Sequence, residues 1–346
     1  MRVLAAFLVL LALVACNGDG QEETPAAPAS TPTEAAQTPE PVSGGEDEPT
    51  PTLEPTPTQV TPTATVPPEP LSIIACNEPL PGAVSPGVSS VRELESGGME
   101  RSYRVYLPPT YRPSTAVPVA LNLHGLGSSA EEQEALSGLR ELAAGEGFAL
   151  VSAEGAGAPA RWSVPGFFPS GVDDVAFVEE LLQDLATIVC FDAERVYATG
   201  FGSGGFMASL LACELPHRFA AIAPVAGIAF PGGCGPALPM LTFHGTGDDR
   251  VPFAGGALAD SDEPYAGMRA HLADWADLGN CRADAYPQPV SPQASYEGYG
   301  DCDEGATVAA IVVEGMGHEW PTKANAGVLA AERIWEFFTE YRLAGD

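Results

Sequence analysis

The chain has 346 residues, 46 of them acidic and 15 basic, for a formal net charge of −31. Such an excess of negative charge excludes nucleic acid as a partner and disfavours a polyanionic substrate, leaving neutral sugars, esters or polymers. Composition is very uneven along the chain, so length alone does not set the number of domains.

Residues 1–15, MRVLAAFLVLLALVA, carry one positive charge at Arg2 ahead of an apolar run that meets Cys16. This is the pattern of a secretion signal, too short to span a bilayer. The boundary LVAC, residues 13–16, resembles the lipobox of bacterial lipoproteins. That resemblance implies that Cys16 is lipidated, becomes the mature N-terminus and keeps the protein extracytoplasmic, on the cell membrane or cell surface. Residues 16–71 read as a tether: Thr, Pro, Glu and Ala predominate, Lys and Arg are lacking, and too few large apolar side chains are present to fold. Proline-rich chain extends by about 3.1 Å per residue, so the tether reaches on the order of 150 Å when stretched.

Residues 72–346 read as one domain. Its first strand is 101–108, RSYRVYLP, which alternates as a half-buried strand does. Nearly continuous apolar runs follow at 117–123, 147–154, 195–200, 219–227, 238–245 and 306–314, the pattern of strands covered on both faces. Between them, 172–189 places Val175, Val178, Leu182, Leu185 and Val189 on one helical stripe. A glycine-dense turn and a helix follow the 195–200 strand, and Ile334, Trp335, Phe338 and Tyr341 align near the C-terminus. Parallel strands need crossovers, so this alternation predicts a mostly parallel α/β sheet with helices on both faces.

Six cysteines remain once Cys16 is assigned to lipid: Cys76, Cys190, Cys213, Cys234, Cys281 and Cys302. An exported protein sits in an oxidising compartment, so three disulfides are expected. Cys281 and Cys302 flank PQPVSPQASYEGYGD, which reads as a local loop staple. The spacings match no zinc pattern, and neither a metal nor a cofactor is called for.

In open α/β sheets ligands bind beyond the carboxyl ends of the strands. Four such junctions are polar: HGLGSSA after Leu123, GFGSGG after Thr199, HGTGDDRVP after Phe243 and GMGHEWP after Glu314. They order a serine region, Asp248 and His318 along the chain as α/β-hydrolases do. With RSYRVYLPPTY, GVDDVAFV, RVYATGFGSGGFMA and APVAG, residues 76–338 resemble the extracellular feruloyl esterase and polyhydroxybutyrate depolymerase-like family of α/β-hydrolases. The resemblance implies a Ser-His-Asp-type site acting on an ester, such as a plant-polysaccharide ester or a polyester. His318 is then the general base, and Asp248, selected over Asp249 by its place after HGT, orients it. The oxyanion donors are the backbone N–H groups of Leu126 and Ser203. Trp162 and Trp320, and less strongly Phe167 and Phe168, are candidates to wall an aryl or alkyl pocket. Asp173 and Asp174 stand at a helix start, where capping suffices to explain them.

One departure matters. The family's elbow reads Tyr-x-Thr-Gly-x-Ser-x-Gly-Gly, and this chain reads YATGFGSGG without a gap. Gly202 therefore stands in the nucleophile slot, with Ser203 one place late. Three readings stay open. The site has lost its nucleophile and only binds; flanking glycines let Ser203 reach His318; or Gly202 is an artefact of the sequence.

Overall fold

A computed structural model describes residues 70–76, 84–261 and 263–343. The expected signal, Cys16 and nearly all of the tether lie outside the described residues.

In chain order, two strands, β1 (Ser89–Ser96) and β2 (Met99–Tyr106), lead into β3 (Val117–Leu123). Helices α1 (Ala130–Ser137) and α2 (Leu139–Glu146) then precede β4 (Ala149–Ala153). Helix α3 (Asp174–Ile188), β5 (Phe191–Phe201), α4 (Ser203–Glu214), β6 (Ala221–Val225) and β7 (Met240–Gly245) follow. A two-stranded ribbon, β8 (Gly256–Ala257) with β9 (Pro264–Tyr265), leads to α5 (Met268–Leu278). The last elements are β10 (Ala283–Pro289), β11 (Ala294–Gly300), β12 (Val308–Val313) and α6 (Ala330–Phe338).

The main sheet has the order β1-β2-β4-β3-β5-β6-β7-β12-β11-β10. Its centre, from β4 to β12, is parallel, and both flanks are antiparallel. Side chains alternate between two cores, as a pleated strand requires. Val119, Leu121, Val308 and Ala310 face one core with α3, α4 and α5, while Ala120, Leu150, Ala309 and Ile311 face the other with α2 and α6. Burying each large side chain there contributes about 1.5–3 kcal/mol.

The six expected central strands are present with ends shifted by a few residues. Strands β1, β10 and β11 were not foreseen. PQPVSPQASYEGYGD, expected as a loop, instead runs through the β10–β11 hairpin, with a register shift between Ala285 and Gln288. Pro287 and Pro289 are exposed on the terminal strand, where a missing N–H costs little. Cys281 does pair with Cys302, and the other disulfides are Cys76–Cys190 and Cys213–Cys234.

Register places the chemistry along one edge. Leu123 lies opposite Ala153 and Gly200, Phe201 opposite Val225, and Gly245 opposite Val313. The loops carrying His124, Gly202, Asp248 and His318 therefore leave the same end of the sheet. Helix α4 starts in the midst of this edge and is buried from Ser203 to Cys213. Gly204 makes that possible, because a Cβ there would stand 2.2 Å from the Leu123 carbonyl oxygen.

Candidate active site

At the turn from β5 to α4, Gly202 adopts φ 53° and ψ −117°, a conformation that strains any L side chain. The turn is well held. Gly202 N–H donates to Val225 O at 2.9 Å, and Gly202 O accepts from Gly205 N and Phe206 N at 2.9 and 3.1 Å. A Cβ built on Gly202 would lie 3.0 Å from His318 Nε2 and 3.4 Å from its Cε1. The slot thus aims at the imidazole, although its residue has no side chain to send there.

His318 sits in the loop after β12, and its Nδ1 donates to Asp248 Oδ2 at 2.8 Å. Placing the proton on Nδ1 leaves the Nε2 lone pair facing Gly202. The Asp248 side chain is fully buried in the turn after β7, and its Oδ1 accepts from the N–H groups of Arg250 (2.9 Å) and Val251 (2.8 Å). Burial works to raise the Asp248 carboxyl. The hydrogen bond and charge of His318, with the Val251 N–H, outweigh it and hold the group below the ordinary aspartate value. Beneath lies His244, whose Nε2 donates to Val251 O at 2.8 Å and stands 3.5 Å from Asp248 Oδ2. Burial depresses that imidazole, so it stays neutral and leaves the charge of Asp248 to His318.

Leu126 and Ser203 both line the same cleft, and neither N–H bonds to another described residue. The loop bearing Leu126 is braced from behind. Gly127 N–H donates to Ala160 O at 2.8 Å, Gly155 N–H to His124 Nε2 at 2.8 Å, and Trp162 Nε1–H to His124 O at 2.9 Å. Ser203 opens α4, where the helix dipole adds positive potential. Its hydroxyl is another matter: Oγ is buried without a hydrogen-bond partner and makes no bond to His318.

The cleft measures about 240 Å³ and is walled by Leu136, Phe168 and Phe201, with Arg250 and Asp260 paired at its rim. Trp162 does not reach it. That expectation is corrected: the indole is fully buried, 5.3 Å from the His124 ring, and serves as a donor beneath the loop. Trp320 is also buried and lines a neighbouring cavity of about 430 Å³, one ring behind Phe201 at 6.4 Å. Phe201 was passed over, although it lies inside the elbow motif; its ring packs 4.6 Å from that of His318. Asp173 caps α3 by accepting from Ala176 N–H at 2.9 Å. Asp174 does not cap: it is buried against Arg101 at 2.7 Å. Among the described residues no group of three His, Cys, Asp or Glu side chains could hold a metal ion.

The model of the family described as "Esterase PHB depolymerase" matches residues 101–302, over half of the chain. The chain belongs to this esterase family. The matched span includes Leu126, Gly202 and Asp248 and ends before His318. Among its relatives is NocK of Nocardia uniformis subsp. tsuyamanensis, named as an esterase, 34% identical over 264 residues covering 69% of this chain and 76% of that one. Feruloyl esterase B of Piromyces equi is 30% identical over 230 residues, covering 63% of this chain but 42% of its own length. A solved acetyl xylan esterase from Aspergillus awamori shares the fold with TM-score 0.54 and 15% identity, covering 72% of this chain and 99% of that one. These neighbours are α/β-hydrolases, and the mostly parallel sheet described above is their fold. The family's chemistry is carboxylic ester hydrolysis.

Proposed function

We propose that this chain is an exported, lipid-anchored ester hydrolase of the feruloyl and acetyl esterase kind, carried on a Thr/Pro/Glu-rich tether of residues 16–71 behind a signal of residues 1–15. Residues 72–346 form the catalytic domain. His318 is its general base, Asp248 orients the imidazole, and the Leu126 and Ser203 N–H groups receive the oxyanion. The substrate is a neutral aryl or alkyl ester, suited to a cleft walled by Leu136, Phe168 and Phe201 and to a surface of net charge −31. Three disulfides support an oxidising, extracytoplasmic location.

What supports this reading is the direction of position 202: a Cβ there would stand 3.0 Å from His318 Nε2, where an esterase needs its hydroxyl. Gly202→Ser supplies it. The imidazole must yield by a few tenths of an ångström, and turnover of a nitrophenyl ester should rise by about 10²- to 10⁶-fold. A folded Gly202→Ser protein that neither gains turnover nor takes an organophosphate label at position 202 overturns the assignment. The unpartnered Ser203 hydroxyl favours a second reading, an inactive binding module. That module would bind the ester in both proteins and turn it over in neither.

A further inference from the structure

We infer that the nucleophile of the unaltered chain is not a side chain but a water molecule in the cleft beside Gly202, hydrogen-bonded to His318, which attacks the ester directly without an acyl-enzyme. This rests on the ester-hydrolase function proposed above and names the reacting partner at the same site. Three observations converge on it. The Nδ1–H of His318 is committed to Asp248 at 2.8 Å, so the basic Nε2 is the nitrogen turned toward position 202. Gly202 puts no side chain of its own beside that nitrogen, and both residues line a cleft of about 240 Å³, enough for an ester carbonyl and a water. The nearest hydroxyl of the chain, Ser203 Oγ, is buried without a partner and does not bond to Nε2. A water in van der Waals contact with the Gly202 Cα and hydrogen-bonded to Nε2 takes the part that a serine hydroxyl plays elsewhere in the family.

The step balances. Nε2 removes one proton from water as the water oxygen bonds to the carbonyl carbon. The carbonyl π pair moves onto oxygen, facing the N–H groups of Leu126 and Ser203. On collapse the ester C–O bond breaks, the leaving alkoxide takes the proton from Nε2, and the products are one acid and one alcohol, with His318 and Asp248 unchanged. A small alcohol in place of water gives its ester instead.

The test uses the full chain with its disulfides intact, a nitrophenyl ester and added methanol. In the unaltered chain, kcat/KM for nitrophenol release should rise linearly with methanol, with methyl ester as product, because methanol then enters the first chemical step. In Gly202→Ser, where acylation precedes any encounter with methanol, kcat/KM should not respond. His318→Ala should lower the unaltered chain's rate by about 10²- to 10⁴-fold. Gly202→Ala, which fills the space without supplying a hydroxyl, should lower it by more than tenfold while Gly202→Ser shows that a side chain is tolerated there. A burst of nitrophenol or an organophosphate label on Ser203 overturns the inference in favour of that serine. If the unaltered chain is no faster than His318→Ala but Gly202→Ser is active, the inference fails and the esterase function stands. If neither turns over, the esterase function fails as well.

Discussion

Behind the loop that carries Leu126, Arg101 and Asp174 form an ion pair at 2.7 Å with side chains 4% and 0% exposed. Asp174 Oδ2 also accepts from Ser163 N–H at 2.7 Å. Arg101 also donates to Glu154 O at 3.0 Å and lies 3.9 Å over the Phe177 ring. Its Nη1 has no hydrogen-bond partner, so compensation for the buried charge comes through Nη2 and the ring. Asp174→Ala removes the counter-charge while the guanidinium stays enclosed, and should cost about 3–5 kcal/mol. Arg101→Met keeps the packing on Phe177 but strands the carboxylate, and should cost a similar amount. The double variant contains neither charge, so its loss should fall short of the sum by about 2 kcal/mol or more. Urea unfolding followed by tryptophan fluorescence at pH 7 measures all three. An Asp174→Ala cost below ~1 kcal/mol, or losses that simply add, would refute the claim that enclosure makes each charge depend on the other.

Two further outcomes follow from hydrogen bonds elsewhere in the fold. In the Gly202→Ser protein, Asp248→Asn can still accept from Arg250 and Val251 but cannot stabilise an imidazolium, and kcat should drop by about 10⁴-fold with KM little changed; a drop below tenfold would remove Asp248 from its orienting role. On α5, His271 accepts from Phe230 N–H at 3.2 Å, and burial pushes it down to about 4 from the ordinary 6.5. The unfolded chain therefore takes up this proton below about 6.5 while the folded chain resists until about 4. Acidification across that window should cost up to about 3 kcal/mol of stability. His271→Gln should flatten that part of the urea-midpoint profile, and an unchanged slope would mean His271 is protonated in the fold.

Most of the legible strands were those buried on both faces, and β2 was legible instead from its half-buried alternation. Residues 117–123 read as a strand and form β3 over the same span, because VPVALNL is apolar but for Asn122 until the junction beyond it. β1, β10 and β11 escaped notice for the opposite reason. SSVRELES and the proline-bearing β10 lie on the flanks, where one face or edge is solvated and no continuous apolar run is required. Asp173 and Asp174 are chemically identical neighbours at a helix start, and only the packing of β2 against α3 separates the cap from the buried ion pair. Trp162 showed the same limit: an aromatic ring in a loop has the same composition whether it walls a cleft or props up the backbone beneath it.

The sequence by itself determined which groups could take part and in what order: HG, the elbow, Asp248 and His318 each follow a strand, and position 202 has no hydroxyl whatever the fold. Those are properties of covalent order. Tertiary structure decided where each group points. Asp248 and His318 meet from 70 positions apart, the Gly202 backbone at φ 53° directs its missing Cβ toward Nε2, and the Ser203 hydroxyl stays clear of the imidazole. Direction depends on the backbone angles at one turn and on how β5, β7 and β12 are registered against one another, and neither is written in any single stretch of residues.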